Sequence, residues 1–281
     1  MTDTILVTGA TGKTGRRLVP LLRSKNLIVR AASRQPDGEQ IAFDWHDAST
    51  HDAALAGADA IYLIPPDFIE DPSPVIAPFL AGAEAAGVRR VVLLSSTGAG
   101  FPGEPAHSGR RRLETLARDS GLDATILRPS GFMQNFSEGF LLPAVRNGGI
   151  PNPAGNGRAA MVDAADIAAV AAAILASPTG HGGQIYDITG SAPIGFADAA
   201  AMIASAAGRP VAVRAMESAQ FLGMLQSVGV PADYAAMLLR DQEAIRDGIA
   251  ETVSDAVERI TGKSPIDFAS YAKGAAAAWR N

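Results

Sequence analysis

A Rossmann-type, doubly wound parallel α/β sheet followed by a smaller, mainly helical C-terminal lobe is the fold class predicted here, and three observations predict it. Short apolar runs alternate with helix-patterned stretches from Thr4 to Arg128. The first run, Ile5-Leu6-Val7, breaks into Gly9, Gly12 and Gly15 and then into the amphipathic stretch Arg16 to Leu22. After about Pro129 the alternation loosens into loops rich in Gly and Pro and further helices.

An unbroken apolar run ending in Thr-Gly reads as a fully buried first strand of a parallel sheet. At the strand-to-helix turn each glycine has a separate task. Gly9 permits the tight turn, Gly12 lets backbone approach a pyrophosphate, and Gly15 lets the helix pack on the strand. Free N–H groups at the helix N-terminus then face an anion. Lys13 either adds positive charge there or points to water.

The second strand is expected at Ile28–Ser33. An NAD site usually places Asp or Glu at its end, but this chain has Ser33-Arg34. A guanidinium and a hydroxyl suit a 2′-phosphate, so NADP(H) is favoured over NAD(H); the competing reading is that Arg34 opens a solvated loop. Further strands are expected at 41–45, 60–64, 90–95 and 124–128, and helices near 50–56, 74–86 and 110–119. Pro20 and Pro78 fall inside predicted helices, where they mark either kinks or first-turn positions. Later helices are expected from Asp163, Gly195, Ser218 and Asp233, and Ala275–Ala278 reads as a good helix former. The expected division is a dinucleotide-binding domain over 1–150 and a substrate-binding lobe over 151–281, interleaved with the last strands.

Composition narrows the function. A chain of 281 residues, 47% hydrophobic, is long enough to bury a large core, and a net charge of −5 leaves no electrostatic footprint for nucleic acid. There is no cysteine, which excludes disulfides, thiolate metal sites and a cysteine nucleophile. No apolar stretch reaches the roughly 18 residues of a membrane span, and the N-terminus runs directly into a strand. The expectation is a cytoplasmic monomer or homodimer acting on a small apolar molecule. No metal is expected: Asp163 and Asp166 lack a third ligand and read as helix caps. No Gly-x-Ser-x-Gly elbow is present to support a hydrolase.

The segments Gly9-Ala10-Thr11-Gly12-Lys13-Thr14-Gly15, Ser33-Arg34-Gln35-Pro36, Leu94-Ser95-Ser96, Ile126 to Phe136 and Val162-Asp163-x-x-Asp166-Ile167-Ala168 resemble the NmrA-like family of atypical short-chain dehydrogenases/reductases. That family includes NADPH:quinone oxidoreductases, ergot-alkaloid reductases and redox-sensing co-regulators. The resemblance implies that Thr11 to Gly15 cradle the pyrophosphate and Arg34 meets the 2′-phosphate. It implies that Asp44 and Trp45 flank the adenine, that Ile64-Pro65-Pro66 cover the ribose, and that Ser95 with Pro129, Ser130 and Phe132 border the nicotinamide. For Asp44 and Trp45, a helix cap and a core tryptophan are competing readings.

The larger superfamily uses Tyr-x-x-x-Lys after a serine as its proton-donating pair. None of Tyr62, Tyr186, Tyr234 and Tyr271 lies in that window; His107-Ser108-Gly109-Arg110 occupies it instead. His107 has the chemistry of a proton donor near neutral pH, or is a solvent-exposed loop residue. Arg110 stands where the family often has lysine, so it either orients substrate or forms part of a solvated Arg110-Arg111-Arg112 face. Of Phe132, Met133 and Phe136, at least one is expected to line an apolar pocket. The expected function is hydride transfer from NADPH to a quinone, or to an imine or enone. The alternative is an NADP(H) sensor that relays redox state to a protein partner without turnover.

Overall fold

The computed structural model describes residues 2–280. In chain order the strands are β1 (Thr4–Val7), β2 (Ile28–Ser33), β3 (Ile41–Ala42), β4 (Ala60–Leu63), β5 (Arg90–Leu94), β6 (Asp123–Pro129), β7 (Gly149–Asn152), β8 (Arg158–Ala159), β9 (Ile185–Ile188), β10 (Ile194–Gly195) and β11 (Ala212–Ala215). The helices are α1 (Gly15–Ser24), α2 (His51–Leu55), α3 (Ser73–Ala85), α4 (Gly109–Arg118), α5 (Leu142–Arg146), α6 (Ala164–Ala176), α7 (Phe196–Ala207), α8 (Ser218–Ser227), α9 (Ala232–Arg246), α10 (Ala256–Thr261) and α11 (Phe268–Ala275).

Seven strands form one sheet in the order β3-β2-β1-β4-β5-β6-β9. The pairs from β3 through β6 are all parallel, and the bonds Gly183 N to Ala124 O and Ile126 N to Gln184 O run β9 parallel to β6 as well. Strand order reverses between β1 and β4, the switch point outside which α/β sheets bind ligands. Ile5, Leu6 and Val7 are fully buried, as are Ile61, Tyr62 and Leu63 in β4, because helices cover both faces of a parallel sheet. On α3 the buried positions Ile76, Phe79, Leu80 and Ala83 follow helical spacing and join Leu6, Leu63 and Leu93 in one core cluster. Each such large side chain contributes about 1.5–3 kcal/mol by leaving water.

Two compact units are built from interleaved segments. One comprises residues up to Ala99, Pro105–Arg128 and Ile167–Asp187; the other comprises Gly100–Glu104, Pro129–Asp166 and the chain from Ile188 onward. The second unit carries α5, α7–α11 and two small sheets, parallel β7–β11 and antiparallel β8–β10. Its core gathers Val145, Ile150, Ile203, Phe268, Tyr271 and Trp279.

Several local expectations need correction. The third strand stops at Ala42 instead of Trp45: Phe43 N still donates to Ser33 O (3.0 Å), but Asp44 then uses its carboxylate to hold His46 N (3.0 Å), and the local turn outcompetes the ladder. Pro20 and Pro78 sit inside α1 and α3, not in their first turns, and both lie on exposed positions where the ring meets solvent. The alanine tail ends as a 3₁₀ turn, Ala276–Trp279, anchored by the buried Trp279, whose indole N–H donates to Phe136 O (2.8 Å). Strand β9 is an addition to the six expected: Ile185, Tyr186, Asp187 and Ile188 alternate exposed and buried at the edge of the sheet.

Candidate active site

The glycine loop follows β1 in the first unit. Gly9 has φ +60°, and its carbonyl accepts from Gly12 N (2.9 Å), which closes the turn. A Cβ on Gly15 would stand 2.3 Å from Gly9 O and 2.8 Å from Ala10 Cα, so backbone packing alone requires glycine there. Gly12 differs. A Cβ on it would meet only Gly9 O, at 3.2 Å, and both Thr11 and Gly12 are exposed. Thr14, the residue preceding α1, makes no side-chain cap, and the first turn holds no acidic residue. Arg16 N and Arg17 N donate to Gly12 O and Thr14 O (both 3.1 Å), and with neither a side-chain cap nor an acidic residue at this end, the helix N-terminus beside the exposed Gly12 fits a dinucleotide pyrophosphate.

The loop is braced from β4. Thr8 N donates to Tyr62 O (3.1 Å), and Thr8 Oγ1 accepts from Ile64 N (2.8 Å). Trp45 Nε1 donates to Ile64 O (3.2 Å) while its ring packs edge-on against Phe43 and Phe79, at 4.8 and 5.0 Å between centroids. Trp45 therefore works as a half-buried strut that fixes Ile64. Asp44 is spent on its own turn, and its carbonyl meets His51 Nε2 (3.0 Å). Pro65 and Pro66 are half-buried behind Ile64.

Beyond β2, the Ser33 hydroxyl is buried and closes a local turn with Gln35 (3.2 Å), whereas Arg34 is exposed. A cleft of about 440 Å³ opens beside the glycine loop, lined by Thr11, Arg16, Arg23, Asp37 and Gln40 among others. Arg16 and Arg23 bring two cations to it from α1, and Arg23 is ion-paired with Glu39 (3.1 Å). The sequence reading missed both arginines. Their seven-residue spacing puts them on one helix face, and that was the available signal.

At the ends of β5 and β6 the side chains form a connected network. Ser95 Oγ donates to Glu114 Oε1 (2.6 Å), and Arg128 grips the same carboxylate through Nε (2.8 Å) and Nη2 (2.5 Å). Glu114 is buried, and its hold raises the Arg128 pKa above the ordinary arginine value. The neighbouring Ser96 Oγ accepts from Arg110 Nη1 (3.1 Å), and Arg110 is buried. Glu114 and Arg128 went unread as site residues. A charge at the inward position of an amphipathic helix was the legible signal, since Arg110, Leu113, Glu114 and Ala117 share the buried face of α4.

His107 is exposed in the turn that leads into α4, where Ser108 caps the helix by accepting from Arg111 N (3.4 Å). Tyr62 is fully buried in β4, and that burial raises its pKa. In the second unit Pro129 is buried, Ser130 Oγ donates to Ala160 O (2.6 Å), and Phe132 is half-buried at a bridge to Val162. Met133 and Phe136 belong to that unit's core, which leaves Phe132 as the aromatic with exposed surface. Asp163 caps α6 by accepting from Ala165 N (2.8 Å) and also accepts from Gln134 Nε2 (2.9 Å). Asp166 instead holds Ile266 N (2.8 Å); burial, with the nearby Asp163 charge, pushes it up to about 6. Among the described residues no group of three or more His, Cys, Asp or Glu is placed to hold a metal, and no helix is long and apolar enough to cross a membrane.

The profile of the NAD(P)H-binding family matches residues 9–178. The chain belongs to this family. It is 35% identical to the uncharacterized oxidoreductase YesF of Bacillus subtilis, covering 98% of this chain and 96% of that protein. It is 33% identical to an NAD(P)H azoreductase of Xenophilus azovorans, over 98% and 99% of the two chains. Among solved structures, the NADPH complex of an NADPH-dependent quinone oxidoreductase from Escherichia coli superposes with a TM-score of 0.79 and 26% identity, over 96% of this chain and 99% of that one. The protein is an NAD(P)H-dependent oxidoreductase, and it shares its fold with the NmrA regulator, at 17% identity and a TM-score of 0.72.

Proposed function

We propose that this protein transfers hydride from NADPH to a small, flat, apolar acceptor, with quinones as the leading class and imines or enones as close variants. The observation that carries the proposal is the rim at the ends of β5 and β6. Where the superfamily keeps a tyrosine acid, this chain sets Ser96 against the buried Arg110 and locks Ser95 to Glu114 and Arg128. An arginine keeps its proton, so this rim offers fixed positive charge and hydrogen bonds rather than a titrating acid.

Thr11 to Gly15 would hold a pyrophosphate at the α1 N-terminus, and Arg34, with Arg16 and Arg23 in the cleft beside the glycine loop, would select a 2′-phosphate. Ile64, fixed by Thr8 and Trp45, would border the ribose. When bound, reduced nicotinamide supplies the hydride. A quinone that accepts it at an oxygen or ring carbon carries one negative charge and takes a proton from water to become the hydroquinone, so no protein acid is consumed. The Arg110–Ser96 pair stabilises that developing charge electrostatically. The azoreductase and quinone-oxidoreductase relatives support an acceptor of this shape.

The test is anaerobic oxidation of NADPH, followed by its near-ultraviolet absorbance, with a panel of quinones and cyclic imines. Turnover with quinones is expected. Tight NADPH binding with no turnover on any acceptor would replace this reading with the redox-sensor function.

A further inference from the structure

Phe68 lies in the loop that leaves β4, with an unfavourable backbone angle and a ring that is more than half exposed. Its φ is +62°, in a turn at Asp67-Phe68. Glycine fills such a position without strain, whereas a bulky L-residue there is a genuine outlier. The ring is also 54% exposed, so about half of its surface stays in water. Strained residues of this kind persist where the surroundings over-determine them, and they cluster at ligand sites.

The surroundings do over-determine this loop. On its N-terminal side Ile64 is held from both faces by Thr8 and Trp45, and Pro65-Pro66 stiffen the next two residues. On its C-terminal side Glu70 Oε1 accepts from Gly109 N (3.2 Å), and Asp71 pairs with Arg112 (2.9 Å). A Cβ on Gly109 would stand 1.9 Å from Glu70 O, so α4 and the loop meet backbone to backbone. The same first turn of α4 carries Arg110, bonded to Ser96. Phe68 is thereby fixed to the rim of the first unit at the end of β4, one side of the switch point.

We propose that Phe68 is the stacking platform for the flat acceptor, a specificity-determining residue that takes neutral conjugated rings face to face. This rests on the acceptor class proposed above. Aromatic stacking is sequence-tolerant toward the ligand and needs only a planar π-face, which suits a site without a titrating acid.

The decisive probe is 1,4-dimethoxynaphthalene, a flat ring that cannot accept hydride, titrated by calorimetry into the NADP⁺-loaded protein and into Phe68→Gly, Phe68→Leu and Phe68→Trp. Phe68→Gly is expected to melt at a higher temperature than wild type while binding the probe about 10-fold more weakly. Phe68→Trp is expected to keep probe affinity within about 3-fold, Phe68→Leu to fall between, and NADPH affinity to stay constant throughout. For 1,4-naphthoquinone, KM follows the probe and kcat does not. Equal probe binding by wild type and Phe68→Gly, no probe binding to wild type, or a matching loss of NADPH affinity would each overturn the platform. If wild type reduces no quinone yet the Phe68 series still grades probe affinity, the quinone reading fails and the platform stands.

Discussion

The glycine loop after β1 and the serine rim after β5 stand at the ends of two strands separated by β4 in one sheet, yet they are built in opposite ways. The loop is a backbone device: Gly9 turns, Gly15 packs at 2.3 Å from Gly9 O, and Gly12 stays open. The rim is a side-chain device, in which Ser95, Glu114 and Arg128 form one network and Ser96 with Arg110 another contact beside it. A backbone site fixes where a phosphate sits; a side-chain site fixes which charge is stabilised. Substitutions should therefore break cofactor binding at the loop and stability or acceptor chemistry at the rim.

The largest separation is expected at the loop. Gly12→Val sets a branched side chain where a pyrophosphate would approach, and NADPH binding should be lost in calorimetry while circular dichroism and melting remain near wild type. Normal NADPH affinity in the folded variant would reduce the loop to a structural turn. At the rim, Glu114→Ala strands the Arg128 guanidinium among buried groups and should lower stability by about 3–5 kcal/mol in denaturant melts, much as breaking other buried pairs does. A loss under 1 kcal/mol would show that the network is solvated and adaptable.

Next in size is cofactor choice. Arg34→Glu should weaken NADPH by on the order of 2–4 kcal/mol and NADH much less. Equal losses for both would move 2′-phosphate recognition from Arg34 to Arg16 and Arg23 in the adjoining cleft. The smallest effect is expected at His107. It is exposed, and a quinone draws its proton from water, so His107→Ala should leave quinone turnover within a few-fold of wild type; a uniform loss of roughly 10²-fold across acceptors would make it a required acid.

The contrast between loop and rim also explains what the sequence made legible. Gly9, Gly12 and Gly15 act through local backbone geometry, so their spacing next to an apolar strand was sufficient to read the loop and, with the strand alternation, the doubly wound sheet. Glu114, Arg128, Arg16 and Arg23 act through contacts made only in the folded chain, and a single sequence does not show which strand end an α4 side chain will meet. Trp45 illustrates the same limit: placed beside the adenine by resemblance, it is engaged by Phe43, Phe79 and the Ile64 carbonyl. Phe68 was invisible because its signature is a backbone angle, and glycine was absent where a turn needed it only once the turn was known.

Direct hydride transfer at this rim is the central claim, and isotopic labelling of the cofactor tests it most directly. NADPH deuterated on one face of nicotinamide C4, and then on the other, would be oxidised anaerobically by the wild-type protein with 1,4-naphthoquinone, and the NADP⁺ analysed for retained deuterium. A protein-held transfer predicts a slowed rate and loss of deuterium for one face only, with full retention for the other. Loss from both faces without preference, or no oxidation above the rate without protein, would contradict it.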